Sequence, residues 1–259
     1  MMNNFRLEKW YMDATDDAGR AFIGYSAKLS WNNISLFYNG FTFRSITQLV
    51  VKRNSFSAQR FPEISGDEAA WRFQHVSAKW KRTSEPIHEV LLELPEGDIT
   101  WFCSLPKASA VVQHAQEWLE KNAMGYVEKI TISIPPWKIP IRELYWGRFL
   151  SPDHAIIWIR WIGPVPKTLT WHNGVRFPEA DITAEEVTFD DFILSINNKK
   201  ELRNGDLLST VFSKFPVIAK LFPKSIMQLR ENKWVSDGLL MHGNKRIAEG
   251  KIIHEHVIW

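Results

Sequence analysis

The sequence predicts an all-β protein in which two antiparallel β-barrels follow one another along the chain and are joined by a helix. Short runs rich in β-branched and aromatic residues recur roughly every 8–12 residues, with turn residues between them. One stretch, residues 106–124, interrupts this rhythm with apolar residues at helical spacing. The segments on either side of it are alike, since each is a series of short strands that carries several tryptophans.

The first predicted barrel covers residues 1–105. Turn residues mark several strand ends, for example in segments 16–19 and 95–98. Between such turns, β-branched and aromatic residues with partial alternation predict strands. The predicted strands cover residues 21–31, 34–38, 41–52, 71–76, 78–81, 87–94 and 99–104.

Residues 106–124 are predicted to form the joining helix. Pro106 suits the first turn of a helix, and Gly125 suits the position just beyond its end. The few charges here are balanced, so we expect an amphipathic helix that packs on a sheet rather than one that binds a membrane. Its apolar stripe would consist of Val111, Ala115, Trp118 and Leu119.

The second predicted barrel covers residues 125–259. Residues 155–162 are apolar at nearly every position, which predicts a strand buried on both faces. Residues 207–215 keep helical spacing as far as Pro216. The other predicted strands cover residues 167–171, 187–195, 226–234, 238–242 and 247–259.

The composition argues against several classes of protein. The net charge of +3 is mild and no Lys/Arg stripe is present, so we predict no nucleic-acid partner. Cys103 is the only cysteine, which excludes an intrachain disulfide and a thiolate metal cluster. No apolar run approaches the ~20 residues of a membrane span, and the first residues lack an apolar secretory region. We therefore predict a cytoplasmic protein without an integral membrane segment.

Glu128 is the first candidate acid. On a strand it shares a face with Tyr126 and Ile130, because side chains alternate between the two faces. A carboxyl group between an aromatic and an aliphatic side chain either faces a polar pocket, where it could act as an acid or base, or has a cationic partner such as Arg148. Both alternatives remain open from the sequence.

The last strand supplies a second candidate, Glu255. It lies between Ile253 and Val257 on one face, so it is either a general acid or one half of a buried ion pair with an Arg or Lys. His254 and His256 share the other face, and two imidazoles at this spacing could bind a metal ion. Because the sequence offers no third ligand, we predict no metal and no other cofactor.

Tryptophan is unusually frequent, with 13 in 259 residues. Its large ring suits cores, interfaces and pockets for apolar ligands. The tryptophans either fill the interior of a barrel or line a cavity that holds one small molecule. The candidate lining residues in the second barrel are Trp137, Trp146, Trp158, Trp161 and Trp171.

Two segments resemble the AttH-like and hydroxyneurosporene synthase-like proteins. Residues 8–13 (Glu-Lys-Trp-Tyr-Met-Asp) resemble the Glu-Trp-Trp-Tyr opening of that family, with Lys9 in place of the first tryptophan. Residues 250–255 (Gly-Lys-Ile-Ile-His-Glu) resemble its closing Gly-rich strand with a terminal Glu. The matching positions are Trp10, Tyr11, Asp13 and Glu255.

This resemblance implies two lipocalin-like (calycin) barrels in tandem. The family includes carotenoid hydratases, and its structural relatives include tocopherol cyclases and Diels–Alderase-like enzymes. It therefore implies cofactor-independent cyclisation, isomerisation or hydration of an isoprenoid, polyene, polyketide or lipid, with Glu128, Glu255 or Asp13 as the acid. The expected ligand-binding residues are Trp10, Tyr11, Tyr126, Trp137, Trp146, Arg148, Trp158, Trp161, Trp171 and His254.

Two other classes of function remain open. The same aromatic-lined cavity would serve a non-catalytic carrier of a lipid or another hydrophobic ligand. Alternatively, the aromatic residues would form the surface by which an interaction module binds a protein partner. The sequence does not predict the oligomeric state.

Overall fold

The computed structural model describes residues 5–32, 34–47, 49–56, 60–119, 122–206 and 229–259. Over these residues the regular structure is β-strand, apart from one 3-10 turn at Pro136–Lys138. The chain divides into two compact units, Met1–Pro135 and Pro136–Trp259. Each unit contains one antiparallel sheet.

The sheet of the first unit has 11 strands. Its path runs β4-β3-β2-β1-β11-β9-β7-β6-β5, and β8 and β10 also pair with β9. The strands are β1 (Phe5–Thr15), β2 (Ala21–Trp31), β3 (Ile34–Arg44), β4 (Val50–Ser55), β5 (Glu63–Ser65), β6 (Glu68–Phe73), β7 (Val76–Arg82), β8 (Ile87–Leu94), β9 (Gly97–His114), β10 (Glu117–Leu119) and β11 (Met124–Ile132).

This sheet curls around an aromatic core. Phe41 on β3 lies 6.2 Å from Phe73 on β6 between ring centroids, although these strands stand near opposite ends of the sheet. Phe22 on β2 lies 6.1 Å from Trp71 on β6 in the same way. Contacts of this kind require the strong curvature of a barrel.

The sheet of the second unit has nine strands in the order β15-β14-β13-β12-β20-β19-β18-β17-β16. The strands are β12 (Glu143–Leu150), β13 (Ala155–Ile162), β14 (Lys167–His172), β15 (Val175–Phe177), β16 (Asp181–Ile182), β17 (Glu186–Phe189), β18 (Phe192–Asp206), β19 (Arg230–His242) and β20 (Lys245–Ile258). Phe177 on β15 and Phe189 on β17 lie 4.9 Å apart, so this sheet also curls until its ends meet. The prediction of an all-β fold with two antiparallel barrels in tandem is confirmed.

The predicted joining helix over residues 106–124 is wrong. Residues 106–114 continue β9, and Glu117–Leu119 form β10. Ala108, Ala110 and Val112 are buried in the core, whereas Val111 is 41% exposed, which is the period of two that a strand requires. Pro106 is tolerated because the pairing of β9 with β11 shifts register next to it, at a β-bulge.

The strand at 124–132 also has a different place from the one expected. We predicted that it would start the second barrel, but β11 pairs with β1 and β9 in the first sheet. Gly125, predicted to end the helix, instead lies beneath the indole of Trp80, where an added Cβ would stand 2.5 Å from the ring. Because Gly125 has no side chain, the indole of Trp80 can pack directly against its backbone.

The described residues include no helix long and apolar enough to cross a membrane. The helical spacing noted at 207–215, and the first residues of the strand predicted at 226–234, lie outside the described residues.

Candidate functional site

Strand register gathers several predicted residues on one face of the first sheet. β1 lies between β2 and β11, so Tyr11 stands opposite both Tyr25 and Glu128. Asp13 stands opposite Tyr126. This face is opposite to the one that carries Met12 and the core cluster. We call Tyr11, Asp13, Trp101, Cys103, Tyr126 and Glu128 the Glu128 cluster.

The carboxyl group of Glu128 has two fixed donors. The indole N–H of Trp101 and the hydroxyl of Tyr126 both donate a hydrogen bond to its Oε2. Trp101 and Tyr126 are buried, while Glu128 itself is half-buried. Two rigid donors on one oxygen fix the plane of the carboxyl group, which is the preorganisation that proton transfer needs.

Aromatic rings surround this carboxyl group. The ring of Tyr11 packs edge-on against Tyr126 at 6.1 Å and against Tyr25 at 5.6 Å. The Nζ atom of Lys9 lies 5.4 Å from the centroid of the Tyr25 ring, within cation–π range. The cluster therefore combines a carboxyl group with ring faces that can stabilise positive charge.

The cluster also shapes the ionisation of its neutral members. Burial raises the pKa of the Cys103 thiol well above its usual value, and the carboxyl groups of Glu128 and Asp13 raise it further. Burial likewise raises the pKa of the Tyr126 phenol, helped by Cys103 and Glu128. Both groups stay protonated at neutral pH, so Tyr126 remains a hydrogen-bond donor.

The backbone of Asp13 is held by a tryptophan. Trp80 donates its indole N–H to the carbonyl oxygen of Asp13 at 2.7 Å, from its position over Gly125. The side chain of Asp13 is fully buried. This arrangement fixes the central strands on which the Glu128 cluster is built.

Glu255 belongs to a buried charge network in the second unit. Lys233, whose side chain is 1% exposed, forms ion pairs with Glu255 and, at 3.2 Å, with Glu231. Arg203 contacts the other oxygen of Glu231 at 2.9 Å. The Nζ atom of Lys233 also lies 6.0 Å from the ring centroid of Trp146. This is the buried ion pair that the sequence left open as the alternative role of Glu255, and we call it the Lys233 network.

The remaining predicted residues divide between different faces. Trp10 lies in the core of the first unit, and Trp158 lies in the core of the second. Trp137 is half-buried in the 3-10 turn. Arg148 is fully buried and donates to the carbonyl oxygen of Lys251 at 2.9 Å. Three further tryptophans are buried on the sheet face of the second unit that carries Glu255, namely Trp146, Trp161 and Trp171.

His254 lies on the core face of the second sheet. Its Nε2 is 2.9 Å from the hydroxyl oxygen of Ser236, and Trp234 stacks on the ring at 5.1 Å. Burial lowers the pKa of His254 to about 3, and the charge of Lys199 contributes. The imidazole is therefore neutral at ordinary pH and suits a polar contact rather than an acid.

Sequence reasoning missed two groups of residues. Lys233 was hidden in a predicted strand, although the alternation of Glu231, Lys233 and Val235 shows that these charges share a face with an apolar residue. Glu143, which pairs with His256 at 2.9 Å, is 113 residues away from it and gives no local signal. Within the described ranges, no group of three or more His, Cys, Asp or Glu is placed to hold a metal ion.

No protein-family model matches the sequence, and no curated protein matches it either. Solved structures do match over nearly the whole chain. CghA, determined with Sch210972, is 11% identical with a TM-score of 0.62, and the match covers 98% of this chain and 89% of CghA. Kievitone hydratase from Nectria haematococca is 11% identical with a TM-score of 0.62, over 97% of this chain and 88% of the hydratase.

A protein from Nitrosomonas europaea that is provisionally assigned as AttH is 9% identical with a TM-score of 0.59, over 97% of this chain and 92% of its own. The chain has the tandem lipocalin-like fold of these proteins. At such low identity the likeness establishes the fold alone. Which molecule the chain binds or transforms has to be argued from its own residues.

Proposed function

We propose that the protein binds a hydrophobic small molecule, of isoprenoid, polyene, polyketide or lipid type, and transforms it by acid catalysis at Glu128. The observation that carries the proposal is the carboxyl group of Glu128, oriented by Trp101 and Tyr126 and surrounded by tyrosine rings. The reaction class is cyclisation, isomerisation or hydration without a cofactor. The shared fold with CghA and kievitone hydratase supports a role in binding or transforming small molecules.

Glu128 is the best placed of the three candidate acids. Glu255 is the counter-ion of the buried Lys233, so we assign it a structural role. Asp13 is fully buried, and its charge acts on Cys103. Glu128 combines partial exposure with two donors on a single carboxyl oxygen.

The proposed step moves one proton from the Glu128 carboxyl group to a carbon of a substrate double bond. The carboxylate that forms is stabilised by the hydrogen bonds from Trp101 and Tyr126, which strengthen as negative charge develops. The substrate cation is stabilised by ring faces, at about 2 kcal/mol for each dry contact. Water or a second double bond then traps the cation, and the carboxylate takes back one proton.

The alternative is a carrier that uses the same residues without chemistry. The packed rings of Tyr11, Tyr25 and Tyr126 favour it, because they would bind an apolar ligand whether or not Glu128 donates a proton.

The absence of nucleic-acid binding and the cytoplasmic location stay predictions from the sequence.

One experiment separates the two functions. Purified protein is incubated with a hydrophobic cell extract, and the bound and released compounds are identified by mass spectrometry. The enzyme hypothesis predicts that the wild type returns an altered compound, whereas Glu128→Gln binds the same compound and returns it unchanged. Glu93→Gln, a change of an exposed carboxylate on β8, is the matched control. Intact release by the wild type would indicate a carrier, and full turnover by Glu128→Gln would refute Glu128 as the acid.

A further inference from the structure

A polar group lies on the core face of the second sheet, near the last residues of the chain. Glu143 and Tyr145 on β12 project from the same face as His256 on β20, because Tyr145 stands directly opposite His256. The same face carries Gly147 and Phe149 further along β12, where the core cluster begins. The group therefore lies where the polar edge of the barrel meets its apolar interior. We call Glu143, Tyr145 and His256 the rim group.

The rim group has the geometry of a carboxylate–imidazole pair. Nε2 of His256 lies 2.9 Å from Oε2 of Glu143, and the ring of Tyr145 stacks on the imidazole at 4.2 Å. The Tyr145 hydroxyl is 3.5 Å from the same carboxylate oxygen. The side chain of His256 is 21% exposed and that of Glu143 is 35% exposed, so small molecules can reach both.

The contact with Glu143 determines the tautomer of His256. A carboxylate accepts hydrogen bonds, so Nε2 carries the proton and Nδ1 presents a lone pair. In the part of the chain that the structure describes, the hydrogen bond of the His256 ring to Glu143 is made by Nε2. The imidazole is thus held as a base, in the way that a carboxylate orients the histidine of a catalytic triad.

The residues around His256 include a proton donor, the Tyr145 phenol, and the apolar core of the second unit. Burial and the charge of Glu143 raise the pKa of Tyr145, so its phenol keeps its proton. Tyr145 packs against the core cluster, and Trp158 crosses Gly147 immediately below it. Arg160 on β13 stands opposite Tyr145 and lies 3.6 Å from Asp181, and Asn232 on β19 stands opposite His256. The charge of Glu185 also acts on Tyr145.

We propose that the rim group is a second proton-transfer site, at which His256 removes a proton from the carbon next to the carbonyl group of an apolar ketone. Glu143 orients the imidazole, and the Tyr145 hydroxyl donates a hydrogen bond to the carbonyl oxygen. The apolar part of the ketone lies on the tyrosine ring and on the core beyond it. The site lies wholly within the second unit and is independent of Glu128.

The step balances within the site. The C–H bond breaks, its electron pair forms the carbon–carbon double bond of an enolate, and the carbonyl π electrons move to oxygen. The proton goes to Nδ1, giving an imidazolium that is paired with Glu143. The imidazolium exchanges its proton with solvent, and delivery of a solvent-derived proton to the same carbon completes the exchange. Delivery to another carbon isomerises a conjugated substrate. No further reactant is needed.

The probe is 2-tetralone, an apolar ketone with acidic hydrogens beside its carbonyl group. Exchange of these hydrogens in D2O is followed by proton NMR with full-length protein. We expect the wild type to exceed His256→Gln by about 100-fold, the lower range for general-base catalysis. Glu143→Gln should lose on the order of tenfold, because its neutral amide no longer supports the imidazolium. His88→Gln, which alters an exposed histidine of the first unit, should match the wild type.

Two further measurements distinguish a catalytic base at position 256 from a histidine with only a structural role. Nitrogen-15 NMR of the wild type should show His256 protonated at Nε2 at neutral pH, and this reading needs no variant to fold. The pH profile of the exchange rate should differ between the wild type and Glu143→Gln, because the carboxylate of Glu143 contacts the imidazole that takes the proton. Equal exchange by the wild type and folded His256→Gln, or a proton on Nδ1 instead of Nε2, would overturn the proposal.

Discussion

Replacing Lys233 by methionine removes an ammonium group that lies between two buried carboxylates, with little change in side-chain volume. Lys233 is 1% exposed and Glu231 is 3% exposed, and the contact between them is 3.2 Å. With an effective dielectric constant of ~20, one such attraction is worth about 5 kcal/mol. Desolvation of the ammonium group offsets part of this attraction.

The net loss of folding free energy depends on the carboxylates that remain buried after the substitution. In Lys233→Met, Arg203 still contacts Glu231, but Glu255 loses its ion pair with Lys233 inside the protein. Removing one partner of a buried pair costs about 3–5 kcal/mol. We therefore expect the melting temperature to fall by roughly 6–20 °C, at about 2–4 °C per kcal/mol for a protein of this size.

Differential scanning calorimetry measures this fall in melting temperature. Two further variants test whether the fall comes from the lost ion pair with Glu255. Lys245→Met, which removes an exposed lysine of β20, should change the unfolding free energy by less than about 0.5 kcal/mol. Lys233→Met combined with Glu255→Gln should recover at least about 1 kcal/mol, because the second change removes the carboxylate charge that has lost the attraction of Lys233. A loss below about 1 kcal/mol for Lys233→Met, or no recovery in the double variant, would refute the assignment of Glu255 as a structural counter-ion.

Two further changes test the packing and the ionisation of the second unit. Gly147→Ala should destabilise it by about 1–3 kcal/mol or more, since the added Cβ would stand 2.2 Å from the Trp158 ring; an unchanged melting temperature would contradict this close packing. Because the pKa of His254 is lowered to about 3, the unfolded chain binds more protons than the folded chain below about pH 6.5. Stability should therefore fall as the pH drops from about 6.5 towards 3, and His254→Gln should weaken this dependence in melting curves measured from pH 7 to pH 4. Identical pH slopes in the two proteins would show that His254 is not held neutral.

The sequence predicted the all-β class because that class depends on local patterns. Alternation and turn residues identify a strand such as 21–31 without knowledge of its neighbours. The same local reasoning failed at 106–124, where Val111, Ala115 and Leu119 satisfy a helical period. Burial of Ala108, Ala110 and Val112 shows that the period of two was the one used. In a short apolar stretch the two periods overlap, and pairing with neighbouring strands decides between them.

The candidate site could be predicted only in part, for a related reason. Apolar neighbours on one strand identified Glu128 and Glu255 as candidates, and in the structure Glu128 accepts a hydrogen bond from Tyr126 and Glu255 pairs with Lys233. Their partners come from other strands, and the strand order that brings Trp101 to Glu128 and Lys233 to Glu255 cannot be obtained from local patterns. The same limit hid Glu143 from His256, since β12 and β20 are neighbours only in the folded sheet.

Transfer of a proton from Glu128 to carbon is tested most directly by product formation in D2O. Once a substrate has been identified, wild-type protein should place one deuterium on the carbon that receives the proton, seen as a mass increase of the product. Glu128→Gln should bind the substrate and form no deuterated product. A deuterated product formed at the wild-type rate by Glu128→Gln would contradict the account.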